Sequence, residues 1–162
     1  MSIPAQLNEI TGRWRGINRL YTTWIPENPV RETPSVAVVE PTARGRFLKI
    51  EYDWRFDDTI QEGLMLIGDE EETEIIRAFW IDSWHLSDKF LVSDGRMDGG
   101  GTILFKGFYS VPDHPDWGWN TIIVPENENS FKILMYNVSP EGEEMLAVEM
   151  EFTKPAAEED PS

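Results

Sequence analysis

Apolar and polar residues alternate along most of this chain. In "RFLKIEYDWRF", Leu48, Ile50, Tyr52, Trp54 and Phe56 take one parity, and Lys49, Glu51, Asp53 and Arg55 the other. A two-residue period of this kind is a strand with one face in a core and one in water. "RWRGINRLYTTW" repeats it, with Trp14, Asn18, Leu20, Thr22 and Trp24 set against Arg13, Arg15, Arg19 and Thr23. Further strands are predicted over residues 35–40, 62–67, 75–86, 89–93, 102–111, 117–124, 131–138 and 145–154. Turn-forming residues gather between them at 41–45, 68–72, 98–101, 112–115, 126–129 and 140–142. Only residues 5–10 fit a helical turn or two, with Gly12 placed to stop it.

Nine or ten strands, each with one wet face, need a sheet without open edges. The pattern therefore predicts an all-β fold, a single antiparallel up-and-down β-barrel with a short N-terminal helix. A two-sheet sandwich is the alternative. One barrel domain over residues 1–154 accounts for the pattern, and 162 residues suffice to bury its core. The tail "PAAEEDPS", residues 155–162, is acidic, has nothing to bury and is expected to be flexible.

Charge narrows the partners. Fourteen basic against thirty acidic residues give a net charge of −16, which repels phosphate backbones and anionic lipid. Neither nucleic acid nor a membrane surface is an expected partner. Without cysteine there is no disulfide, thiol nucleophile or zinc-thiolate site. The N-terminus lacks a basic segment followed by an apolar run, and no stretch reaches the roughly 20 apolar residues of a membrane span. A soluble, cytoplasmic protein is the expectation.

The order helix, Gly12-Arg13-Trp14, long alternating strand resembles the Gly-x-Trp entry of the lipocalin-like (calycin) barrels. That resemblance implies a tryptophan plugging the closed end, with a basic residue of the last strand against its ring. Lys154, closing "VEMEFTK", is the matching position. "GRFLKIEY", "EGLMLIG", "WIDSWH", "WGWNT" and "YNVSPEGEEMLAVEMEFTK" follow in an order and at spacings similar to a bacterial family known as domain of unknown function 1579. The resemblance covers about residues 7–154. It implies a lipocalin-like fold and brings no established activity.

The segment with most chemistry is "AFWIDSWHLSD", residues 78–88. Ser83, His85 and Asp82 are the ingredients of a nucleophilic triad. On a strand, however, residues two apart lie about 6.6–6.8 Å from one another, too far for Ser83 and His85 to share a hydrogen bond. Asp82 and His85 would point to opposite faces. A carboxylate enclosed here needs donors, and Lys106, Arg15 and Arg19 are the cations that could come from other strands. In "HPDWGWNT" Trp117 and Trp119 share a face that is either core or cavity wall, while His114 sits at a loop tip.

Metal chemistry has little support. His85 and His114 form no ligand pair, and a haem would rest on one of them as its axial ligand. The acidic run 69–72 lacks the ligand spacing of a calcium loop, and "SDGRMDGGG" reads as a hairpin rather than a phosphate cradle. No cofactor and no metal are expected.

The leading function is a binding module for a small, mostly apolar or aromatic ligand inside the barrel. Its wall is drawn from Trp80, Asp82, Trp84, Tyr109, Trp117, Trp119 and Tyr136. The alternative is an enzyme using an enclosed carboxylate, Asp82 or Glu149, as acid or base, with His85 a further candidate. The third reading is a solid barrel that acts through its outer surface as a homodimer.

Overall fold

The computed structural model describes residues 4–155; of the tail 155–162 expected to be flexible, all but Pro155 lies outside the described residues. A single turn of helix, α1 (Ala5–Asn8), precedes β1 (Gly12–Tyr21), β2 (Val30–Thr42), β3 (Phe47–Phe56), β4 (Thr59–Glu70) and β5 (Ile75–Asp82). Then come β6 (Leu91–Met97), β7 (Ile103–Val111), β8 (His114–Asn127), β9 (Ser130–Val138) and β10 (Glu144–Thr153). Each strand pairs antiparallel with the next, and β10 returns to β1, closing a ten-strand barrel. Closure removes the open edges that a sheet of this length would otherwise carry.

Parity decides what goes inside. Leu48, Ile50, Tyr52 and Trp54 of β3 are buried, as are Trp14, Asn18 and Leu20 of β1. Their charged neighbours face water and pair there: Lys49 with Glu40 and Glu51, and Arg19 with Glu32, Glu149 and Glu151.

One end is plugged. Leu7 and Ile10 of the N-terminal segment pack with Trp14, Phe131 and Phe152, and the Trp14 indole N–H donates to the Ile10 carbonyl at 2.8 Å. The rings of Trp14 and Phe131 meet edge to face at 4.8 Å, and Phe131 stacks on Phe152 at 5.0 Å. Lys154 Nζ lies 4.8 Å from the Trp14 ring centroid and donates to the Thr11 carbonyl. Gly12 makes room for that ammonium. It holds φ at +140°, and a Cβ there would come within 2.5 Å of Lys154 Nζ.

Three element ends depart from the alternation. Trp24 continues the inward parity on paper but is 68% exposed, because β1 stops at Tyr21 and the Thr22 hydroxyl donates to the Asn28 carbonyl in a loop. The run 75–86 is a strand only as far as Asp82, and the strand expected at 89–93 spans Leu91–Met97. The weakest seam lies beside this loop. β6 and β7 pair over four positions only, from Asp94–Lys106 to Met97–Ile103. The ladder ends at Lys106; Gly107 still packs against Ser93 and Leu91, but no backbone pairing joins the strands beyond it.

Candidate functional site

At the end opposite the Trp14 plug, Asp82 is the last residue of β5 and is 2% exposed. Its Oδ1 accepts the backbone N–H groups of Trp84 and His85, both at 2.9 Å. Bonds from an aspartate to amides two and three residues on are those of a turn, not a strand. The Leu86 amide adds a bond to the Asp82 carbonyl. The chain therefore folds Trp84 and His85 back over the barrel mouth.

The other carboxylate oxygen looks inward. Asp82 Oδ2 accepts the Tyr52 hydroxyl at 2.7 Å and the Trp54 indole N–H at 3.2 Å, and the Trp80 indole N–H donates to the Tyr52 oxygen at 2.9 Å. Tyr52 and Asp82 are both paired with Gly63 of β4, so the contact spans an intervening strand. A Cβ on Gly63 would overlap the Tyr52 ring; a glycine inside a strand marks such a close approach. Burial, with the Asp82 charge as the next cause, holds the Tyr52 hydroxyl well above the usual tyrosine range. Four donors around one carboxylate make Asp82 an anchor for the mouth. Arg15, Arg19 and Lys106 lie on outward positions instead, so the expected compensating cation is replaced by neutral donors.

His85 occupies an aromatic box. Its ring centroid is 4.8 Å from Trp84, 5.5 Å from Trp54 and from Trp119, and 5.7 Å from Trp80. Desolvation lowers its pKa, and the nearby Asp82 charge opposes this in part, so the imidazole is neutral at pH 7. Among the described residues its ring nitrogens find no hydrogen-bond partner.

Beside this box opens a cavity of about 410 Å³. Trp80 and Trp119, stacked at 5.5 Å and 14° between planes, line it together with His85, Leu86 and Leu91. Ser87, Lys89, Tyr109 and Ser110 complete the lining. Trp119 Nε1 is buried without a hydrogen-bond partner. The cavity lies beyond the end of the β6–β7 ladder, at Leu91, Tyr109 and Ser110.

Of the residues expected in the wall, Trp80, Tyr109 and Trp119 line this cavity. Asp82 lies outside its lining and Trp84 packs on Trp54 and Phe56. Trp117 lies in a neighbouring shallow hollow with Tyr109, His114 and Asn137. Tyr136 is a correction: it has the opposite parity to the buried Phe131, Ile133 and Met135. Glu149 is another. It alternates with the buried Val148 and Met150, and on the outer face it accepts from Arg19 and the Tyr21 hydroxyl. Ser83 is engaged elsewhere, donating to Gln61 Oε1 at 2.7 Å and accepting the Glu62 amide. His114 is exposed. Among the described residues no group of three or more metal-ligating side chains gathers, and no helix is long and apolar enough to cross a membrane.

Nothing in the sequence pattern marks Leu86, Ser87, Lys89, Leu91 and Ser110 as lining residues. Most belong to a loop without periodicity, and only a known barrel register brings them together.

No curated protein matches this chain. Among solved structures, it is similar to a protein of unknown function from the DUF3598 family of Nostoc punctiforme PCC 73102. That likeness has a TM-score of 0.30 and 7% identity, over 94% of this chain and 100% of the other. The model of the family described as "Protein of unknown function (DUF1579)" matches residues 3–154, nearly the whole barrel from plug to last strand, and the chain belongs to that family.

Proposed function

We propose that the protein binds a small, mostly apolar ligand in the cavity at the barrel mouth, as a calycin-like carrier or sensor rather than an enzyme. The supporting observation is the cavity of about 410 Å³ walled by stacked Trp80 and Trp119 with Leu86 and Leu91. Small-ligand sites combine such apolar walls with a few polar groups that fix orientation; here Tyr109, Ser87 and Ser110 supply hydroxyls at the rim. An acid–base role for Asp82 is disfavoured because both its oxygens already accept two hydrogen bonds each.

The test is titration with N-phenylnaphthylamine, an uncharged dye that brightens in apolar surroundings. Saturable binding at one dye per chain is expected, with quenching of tryptophan emission. Ser110→Trp, which places an indole across the mouth from an exposed position, should abolish binding without changing the melting temperature. An absence of saturable binding would remove this reading.

A further inference from the structure

The cavity's charge is the opposite of the molecule's. The chain carries a net charge of −16, yet no aspartate or glutamate is among the residues lining this cavity. Lys89 is the one lysine or arginine in the lining. Elsewhere on the barrel Lys49, Lys132, Arg19, Arg31 and Arg77 each hold a carboxylate, whereas Arg96 and Lys106 form no ion pair among the described residues but line no part of this cavity. Lys89 is exposed and forms no ion pair among the described residues. Its backbone is nevertheless fixed over the mouth, since its amide donates to the Leu86 carbonyl at 3.0 Å.

Beside Lys89 the lining carries the Ser87 and Ser110 hydroxyls, which can donate to an anion. The flat apolar wall of Trp80 and Trp119 is the complementary half.

Building on the mouth-cavity reading above, we infer that the ligand is an amphipathic organic anion, its flat apolar body against Trp80 and Trp119 and its acidic head at the rim beside Lys89. A carboxylate and a sulfonate share the needed chemistry: oxygen acceptors carrying a negative charge, able to take charge-assisted hydrogen bonds from an ammonium. A neutral ligand would leave Lys89 unanswered, and a cationic one would meet it as a like charge.

The experiment compares two dyes that differ in one group. Anilinonaphthalene sulfonate carries the acid; N-phenylnaphthylamine is the same skeleton without it. Lys89→Gln should weaken the sulfonate about five- to tenfold, the scale of one charge-assisted contact, and leave the uncharged dye within about twofold. Lys89→Arg should restore sulfonate binding. Lys106→Gln, which removes a cation from the outer face of β7, should change neither dye, and an unchanged near-ultraviolet circular dichroism spectrum shows that each variant is folded. Equal loss of both dyes in Lys89→Gln, no loss of either, or an equal sulfonate loss in Lys106→Gln would overturn the inference while leaving the mouth cavity as a binding site. If neither dye binds the unaltered protein, the binding-site reading itself falls, and the inference with it.

Discussion

The Tyr52 hydroxyl stands between Trp80 and Asp82, accepting from the first at 2.9 Å and donating to the second at 2.7 Å. It does so across Gly63, the strand residue paired with both Tyr52 and Asp82. β3 and β5 are thereby joined by side chains over the intervening β4, directly beneath the candidate site.

Asp82→Asn tests this anchor. The amide replaces one acceptor by a donor where four donors already converge, leaving at least one of them without a partner. A loss of about 2–4 kcal/mol is expected from the cost of an unsatisfied buried group, read from urea denaturation. Gly63→Ala should also destabilise, because the new methyl displaces the Tyr52 ring. The two losses should be less than additive, since each breaks the same hydrogen bond. A fully additive pair would mean that Gly63 and Asp82 act independently.

Alkaline pH should act through Tyr52. Its folded pKa is raised above the ordinary tyrosine value of 10.0. The unfolded chain therefore loses this proton first, and the associated stability is present below pH 10 and lost as pH rises beyond it. In a spectrophotometric titration, Tyr52 should ionise only as the barrel unfolds. Tyr52→Phe should remove that late step and weaken the alkaline dependence, although it also loses a hydrogen bond to Asp82.

His85 has the opposite sign and a different window. Its folded pKa is depressed below 6.5, so acidification protonates the unfolded chain first. The contribution is present above pH 6.5 and is lost as pH falls through the folded value. Melting temperatures between pH 7.5 and 5, a range placed about the ordinary histidine pKa, should fall more steeply for the native protein than for His85→Phe. Parallel curves would show that the imidazole is not held neutral by its tryptophan box.

At the closed end, Trp14→Ala should cost about 3–5 kcal/mol, as for other large core aromatics. Lys154→Met keeps most of the stem and removes the cation over the ring, so about 0.5–2 kcal/mol is expected. Equilibrium unfolding separates the two. A Lys154→Met protein as stable as the parent would reduce the ammonium to a spectator.

How much of this is visible in the sequence depends on the range of each interaction. Alternation is local, so the strands and the inward set Trp14, Leu48, Ile50, Tyr52 and Trp54 follow from parity alone. Asp82 shares parity with Ala78 and Trp80, but Phe79 and Ile81 make the other face apolar too, so parity alone leaves its burial open. Its partners are further out of reach. Tyr52 lies thirty positions away and becomes a neighbour only when β3, β4 and β5 take their register around Gly63. The alternation runs past the end of β5 because Trp84 and Leu86 prolong it, while Asp82 uses its side chain to turn the backbone. Lys89 is beyond reach because a loop residue has no periodicity, and Ser110, on β7, because nothing local shows that the end of its strand meets that loop.

The seam between β1 and β10 joins the two most distant strands of the chain, from Arg15 opposite Thr153 to Leu20 opposite Val148. On the ribosome the first of these emerges long before the second. Until the last strand is released, nine strands form at most an open sheet with two unpaired edges, and such edges are templates for pairing with other chains. The dominance of distant pairings also predicts slow closure. Loss of residues 144–153 would therefore do more than remove one strand: it would leave a product able to add to its neighbours, and the cell would meet it as an aggregate before it met it as a less stable barrel.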